Sequence, residues 1–142
     1  MGSDWPQVKF GDLLSAPVRN GIYKKKEFHG RGARIVNMGE LFGNPRLFDI
    51  EMKRVELTEK DKLNCLLNDG DLLFARRSLT AEGAGKCSIV KEVREDTTFE
   101  SSIIRARPDQ AKADSEYLYY YFGSYYGKAL MRSIMRLSLI HI

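Results

Sequence analysis

The sequence predicts an α+β domain, a mixed or antiparallel β-sheet with short helices and a C-terminal helical segment. Two observations carry that prediction. Short β-patterned runs separated by glycine and turn residues fill residues 34–107, whereas apolar residues recur at helical spacing only after Ser115. Runs of strands followed by helices pack as a sheet with its helical end on one side.

The elements follow in order. Around Gly11-Asp12, the residues Trp5, Val8, Phe10, Leu13 and Leu14 read as a short strand or turn leading into one helical turn. Residues 20–32, with Gly21, Gly30, Gly32 and the run Lys24-Lys25-Lys26, read as a surface loop, because glycine supplies turns and clustered lysines repel one another. Arg34-Ile35-Val36-Asn37 reads as a strand and residues 39–45 as a loop. Lys53-Arg54-Val55-Glu56-Leu57 alternates polar and apolar, as a half-buried strand does. Thr58 with Asp61 three residues on approximates a capping box and starts a short helix to about Leu66. Asn68-Asp69-Gly70-Asp71 is a turn, and Leu72-Leu73-Phe74-Ala75 has the length of a buried strand. A glycine-bearing loop covers residues 79–86, and strands follow at 87–91 and 98–107. Ser115 caps a helix carrying Tyr117, Leu118, Tyr121 and Phe122; Gly123-Ser124 interrupts it before a second helix with Leu130, Met131, Ile134 and Met135.

Composition narrows the function classes. The 142 residues suit one domain, and 43% hydrophobic with 30% charged residues is the balance of a soluble globular protein with a real core. No apolar run approaches the roughly 18 residues of a membrane span, and nothing suggests a secretory signal, so no membrane partner is expected. Cys65 and Cys87 form no CxxC pair and have only His29 and His141 to help, which argues against metal and against a disulfide framework, and suits a reducing cytoplasm. The net charge of +4 leans only mildly toward polyanions. Placement of the charge has to carry that argument.

Three stretches in order resemble a known family. They are Trp5 with Val8-Lys9-Phe10-Gly11-Asp12-Leu13; then residues 67–76 with Gly85-Lys86-Cys87-Ser88-Ile89-Val90; then Ser102-Ile103-Ile104-Arg105-Ala106-Arg107-Pro108 leading into residues 116–124. Together they resemble a target recognition domain from the specificity subunit of type I restriction–modification systems, over residues 1–136 taken as a single domain. The resemblance implies a non-catalytic component that reads one half of a bipartite site in double-stranded DNA. It also implies methyltransferase (M) and restriction (R) subunits as partners, the cofactor belonging to M and none to this chain. The pattern departs in carrying one recognition domain without a heptad-patterned helix, so the chain reads as a fragment. Residues 137–142 (Leu137-Ser138-Leu139-Ile140-His141-Ile142) look like a non-native tail.

Within that frame Lys24, Lys25 and Lys26, with Arg31 and Arg34, are the candidates for phosphate contact, since lysines neutralise a backbone without reading sequence. The alternative is a solvated cluster that keeps the loop out of the core. Arg77, Ser78 and Thr80 follow a strand end and, with Tyr23, are candidates to read bases, arginine being able to grip guanine bidentately. Arg76 either joins them or holds the turn through Asp69 or Asp71. Lys86 follows Gly83 and Gly85, but the spacing and the missing hydroxyl exclude a P-loop, leaving a loop that leans on DNA. The tyrosines at 117, 119–121, 125 and 126 suit a packed helix better than a stacking platform. Residues 44–46 lack a complete methyltransferase motif, and Pro108-Asp109 lacks the acid–x–lysine a nuclease needs downstream, which argues against catalysis. Two other readings stay open: a module docking a methyltransferase subunit, and the recognition portion of a fused restriction–methylation enzyme.

Overall fold

A computed structural model describes residues 10–44, 46–47, 50–75 and 87–123. Among the described residues eight strands form two sheets: β1 (Arg19–Asn20), β2 (His29–Val36), β3 (Arg46–Leu47), β4 (Lys53–Val55), β5 (Leu72–Ala75), β6 (Cys87–Val90), β7 (Thr97–Phe99) and β8 (Ile103–Ala106). The larger sheet has the order β1-β8-β5-β6-β3 and the smaller β4-β2-β7. The first is antiparallel except for β3 beside β6; in the second, β2 runs antiparallel to β4 and parallel to β7. Helices α1 (Met38–Gly43), α2 (Glu59–Cys65) and α3 (Ser115–Gly123) complete the α+β domain the sequence predicts.

Strand β5 shows why an unbroken apolar run was needed at 72–75. Leu72 and Phe74 point into one core with Ile89, Ile104, Leu118 and Phe122, where α3 covers the large sheet. Leu73 and Ala75 point the other way, into a second core with Val36, Leu41, Phe99 and Ile103. Burial on both faces removes the alternation that marks a half-exposed strand. Phe74 and Phe122 meet edge-to-face with ring centroids 5.4 Å apart, which fixes α3 against the sheet. A third cluster of Ile22, Ile35, Val55 and Cys65 seats α2 against the small sheet.

The capping box at α2 is formed: Asp61 N–H donates to Thr58 Oγ1 at 3.1 Å, and Thr58 N–H to Asp61 Oδ2 at 3.0 Å. Three expectations need correction. Residues 39–45 do not form a plain loop, because Met38–Gly43 is helical. Its start is held by the Asn37 N–H donating to Glu40 Oε1 at 2.9 Å, and its end by buried Ser88, whose Oγ lies 3.0 Å from the Asn44 carbonyl. Residues 98–107 are two strands rather than one, since Ser101 and Ser102 turn the chain from the small sheet into the large one. Finally, the segment 20–32, read as a surface loop, is partly regular: a 3-10 turn at Lys26–Phe28 leads into β2, which starts at His29. His29 and Ala33 both pair with Val55, so a bulge absorbs the residues between them. Gly32 permits it, with φ +97° and room for no Cβ, which would lie 2.6 Å from the Val55 carbonyl oxygen.

Candidate nucleic-acid interface

The segment 21–32 leaves the large sheet from β1. Asn20 pairs with Ile104, and the Gly21 N–H donates to the Ile103 carbonyl at 3.0 Å. A Cβ at Gly21 would collide with the Glu100 carbonyl, so only glycine lets the chain cross there. On the other side of β8, Phe74 pairs with Ile104 and Ala75 with Ile103. Strand β5 ends at Ala75 and β6 begins at Cys87, the partner of Phe74. The exits toward 21–32 and 76–86 therefore flank the same residue, Ile103. Two ladder spacings put them about 10 Å apart.

The expected site residues divide sharply. Tyr23 is 80% exposed, and Ile22 just before it is buried, so the chain anchors one side chain and presents the next. Lys25 and Lys26 are exposed, with no carboxylate partner among the described residues. Lys24 is held: its Nζ lies 2.6 Å from Asp61 Oδ2 and 5.7 Å from the Phe28 ring centroid. Burial alone would raise the Asp61 carboxyl, but hydrogen bonds from Lys24 and Thr58 outweigh it and leave it below its ordinary range. His29 Nε2 donates to the Lys24 carbonyl at 3.0 Å and so closes the loop on itself. Arg31 is exposed but pairs with Glu56. Arg34 is different in kind. It is 5% exposed, with Nε 3.4 Å from Thr97 Oγ1 and Nη1 3.3 Å from the Ile50 carbonyl, so β2 turns it inward between the sheets' connections. Of the expected phosphate contacts that are described, it is the one held inside the fold, which its burial and these bonds set apart from Lys25 and Lys26. Arg76, Arg77, Ser78, Thr80 and Lys86 lie outside the described residues. Asp71, weighed as a partner of Arg76, accepts two hydrogen bonds from Arg107, at 2.8 and 2.9 Å.

A second cationic feature was not singled out from the sequence. Alternation along β8 puts Arg105 and Arg107 on one face, and Arg19 of the edge strand β1 pairs directly with Arg105. These three arginines line an open cleft of about 530 Å³ with Ala16, Pro17, Val18, Asn20 and, from α2, Leu63 and Asn64. The legible signal was Arg105-Ala106-Arg107, two cations at a period of two inside a buried strand.

Away from this surface, Arg46 grips Glu116 with two 2.8 Å bonds, and Lys91 lies 3.0 Å from the same carboxylate. Hydrogen bonds from Arg46 and Lys91 push the Glu116 carboxyl down to about 2. Burial pushes the Cys87 thiol well above its ordinary range, so it is an inert core residue. Among the described residues no cluster of three or more His, Cys, Asp or Glu could hold a metal, and no helix is long and apolar enough to cross a membrane.

The architecture defines the class first: an α+β domain in which β1 and β5 both end beside Ile103, at one end of the main sheet. No protein-family model matches the chain. It is 27% identical over 123 residues to the type I restriction enzyme EcoKI specificity subunit of Escherichia coli K12, an alignment covering 86% of this chain and 26% of that protein. Its fold is similar to the HsdS subunit from Thermoanaerobacter tengcongensis, with TM-score 0.63 and 16% identity over 88% of this chain and 28% of that one. It is also similar to a chain from a structure describing complex assembly and conformational transition of a type I restriction–modification system, with TM-score 0.63, 15% identity, and coverage of 87% and 28%. In sequence and fold, then, the chain is similar to part of a specificity subunit of a type I restriction–modification system. It spans about a quarter of the length of these relatives.

Proposed function

We propose that the chain is a target recognition domain that binds one half of a bipartite site in duplex DNA for a type I restriction–modification complex. One observation carries the reading: the segments beginning at Gly21 and after Ala75 leave the sheet on either side of Ile103. Two separate stretches of sequence rich in glycine and cations thereby start from strand ends on either side of one residue. Tyr23, exposed on an anchored strand exit, reads base edges together with Arg77, Ser78 and Thr80. Lys25 and Lys26 neutralise phosphates, with Lys24, Arg31, Arg76 and Lys86 adding to the positive field. Lys24 and Arg31 contribute less than their charge, because Asp61 and Glu56 already face them.

The chain itself performs no chemistry in this reading. Methylation and cleavage belong to M and R subunits, which the specificity component aligns on the site, in the cytoplasm where the DNA is. The test is a titration of the protein against random-sequence duplex at rising salt. Binding should weaken linearly in log–log form, with a slope of about −0.9 per phosphate neutralised. A flat salt response, or no duplex binding at low salt, would remove the reading.

A further inference from the structure

The cleft at the β1 edge has a charge balance that the fold alone does not explain. Arg19 and Arg105 are direct cross-strand partners, and like charges so placed destabilise a ladder. Arg107 stands on the same face two residues on. The carboxylate bonded within this group is that of Asp71, and Arg107 takes it with two bonds. Arg105 is 4% exposed; its Nη1 reaches the Asn64 and Leu66 carbonyls at 3.2 and 3.3 Å, where it caps the end of α2. Its buried Nε has no hydrogen-bond partner among the described residues. Leaving such a donor unmade carries the full desolvation penalty of the group. Burial, and then the neighbouring charges of Arg107 and Arg19, lower the proton affinity of Arg105, so the group works against its own electrostatics. An arginine trio with one carboxylate, opening on a cleft of about 530 Å³, is arranged for an incoming anion.

We propose that this cleft seats a phosphate group of the DNA backbone, held by Arg19 at the rim over Arg105 and Arg107. The position favours a backbone phosphate over a free one. Arg19 precedes the exposed Tyr23 by four residues, and α2 supplies both Asp61 to Lys24 and Leu63 and Asn64 to the cleft. A strand of DNA tracking from Lys25 and Lys26 across the end of α2 would reach it. Leu63, 85% exposed beside the cleft, offers an apolar wall for the sugar. This inference rests on the duplex-binding reading, but it fails separately from it.

The test follows the arginine Nε–Hε signals of the nitrogen-15-labelled chain by NMR, with random duplex as one probe and inorganic phosphate as the other. Duplex is expected to shift the Arg19 and Arg105 signals, and millimolar phosphate to shift the same signals weakly. Arg19→Ala, at an exposed position, should lower duplex affinity three- to tenfold and reduce the salt slope by about 0.9, whereas Arg19→Lys should keep the slope. If duplex binds while both signals stay still and Arg19→Ala keeps the wild-type slope, the cleft assignment is overturned and the duplex-binding reading stands. If phosphate moves the signals but duplex does not bind, both the duplex reading and the backbone assignment fall, leaving a site for free anions. If neither probe moves them, the cleft holds no phosphate.

Discussion

The cations of the loop after β1 and the arginines of the β8 face carry the same charge in opposite settings. Lys25 and Lys26 stand in water on an exposed turn, at no desolvation cost, and are free to follow a phosphate wherever it lies. Arg105 and Arg107 are buried or half-buried, fixed by carbonyls and by Asp71, and cannot move without disturbing α2. A flexible ammonium gives range and a fixed guanidinium gives position. The comparison teaches that net charge is a poor guide to a binding surface. Arg34, in neither setting, is buried and bonded to Thr97 and the Ile50 carbonyl.

The largest expected effect breaks the fixed half. Asp71→Ala removes the carboxylate from Arg107 and the acceptor from the Asn68 N–H, and should destabilise the fold by about 3–5 kcal/mol in chemical denaturation, the range for orphaning one member of a buried ion pair. Next, Lys25→Glu with Lys26→Glu breaks the mobile half. Duplex affinity should fall at least tenfold in fluorescence anisotropy, equally for all sequences, and the thermal midpoint should not move. A retained affinity would transfer the phosphate contacts to the fixed arginines.

A smaller effect concerns the Glu116 clamp, which lies outside both regions and serves as a control. Its carboxyl is lowered from 4.5 to about 2, so the stability it supplies is complete above pH 4.5 and is lost as pH falls toward 2. Tyrosine fluorescence from α3 should loosen in that window, while neutral-pH DNA binding is untouched by Glu116→Gln. The smallest effect sharpens the comparison within the loop. Glu56→Gln frees Arg31 from its partner, costs less than about 0.5 kcal/mol of stability, and should raise duplex affinity by no more than about threefold. A loss of affinity instead would mean that Glu56 positions Arg31.

Much of this was legible before folding. The Thr58–Asp61 box, the turn at 68–71, the strand at 72–75 and the helix from Ser115 are local, set by caps, turn residues and periodicity over a few positions. The helix at Met38–Gly43 was harder to read because two glycines in six residues mask its signal, and its end is held by Ser88 from a distant strand. The arginines were less legible still. Arg31 and Arg34 stand three residues apart in one basic stretch, yet the bulge after His29 sends the first to solvent and the second between elements.

What the sequence determined by itself was the α+β class, the elements with strong local signals, the absence of familiar catalytic motifs and the resemblance to a specificity subunit. Only the tertiary structure decided which cations are available and which segments share a surface. Both depend on strand order. Placing β8 between β1 and β5 sets the ends of those two strands on either side of Ile103 and lays Arg19 against Arg105. No local pattern encodes that neighbourhood, because it is fixed by pairing between residues far apart in the chain, as with Arg19 and Arg105, where the burial of a shared core selects the partner.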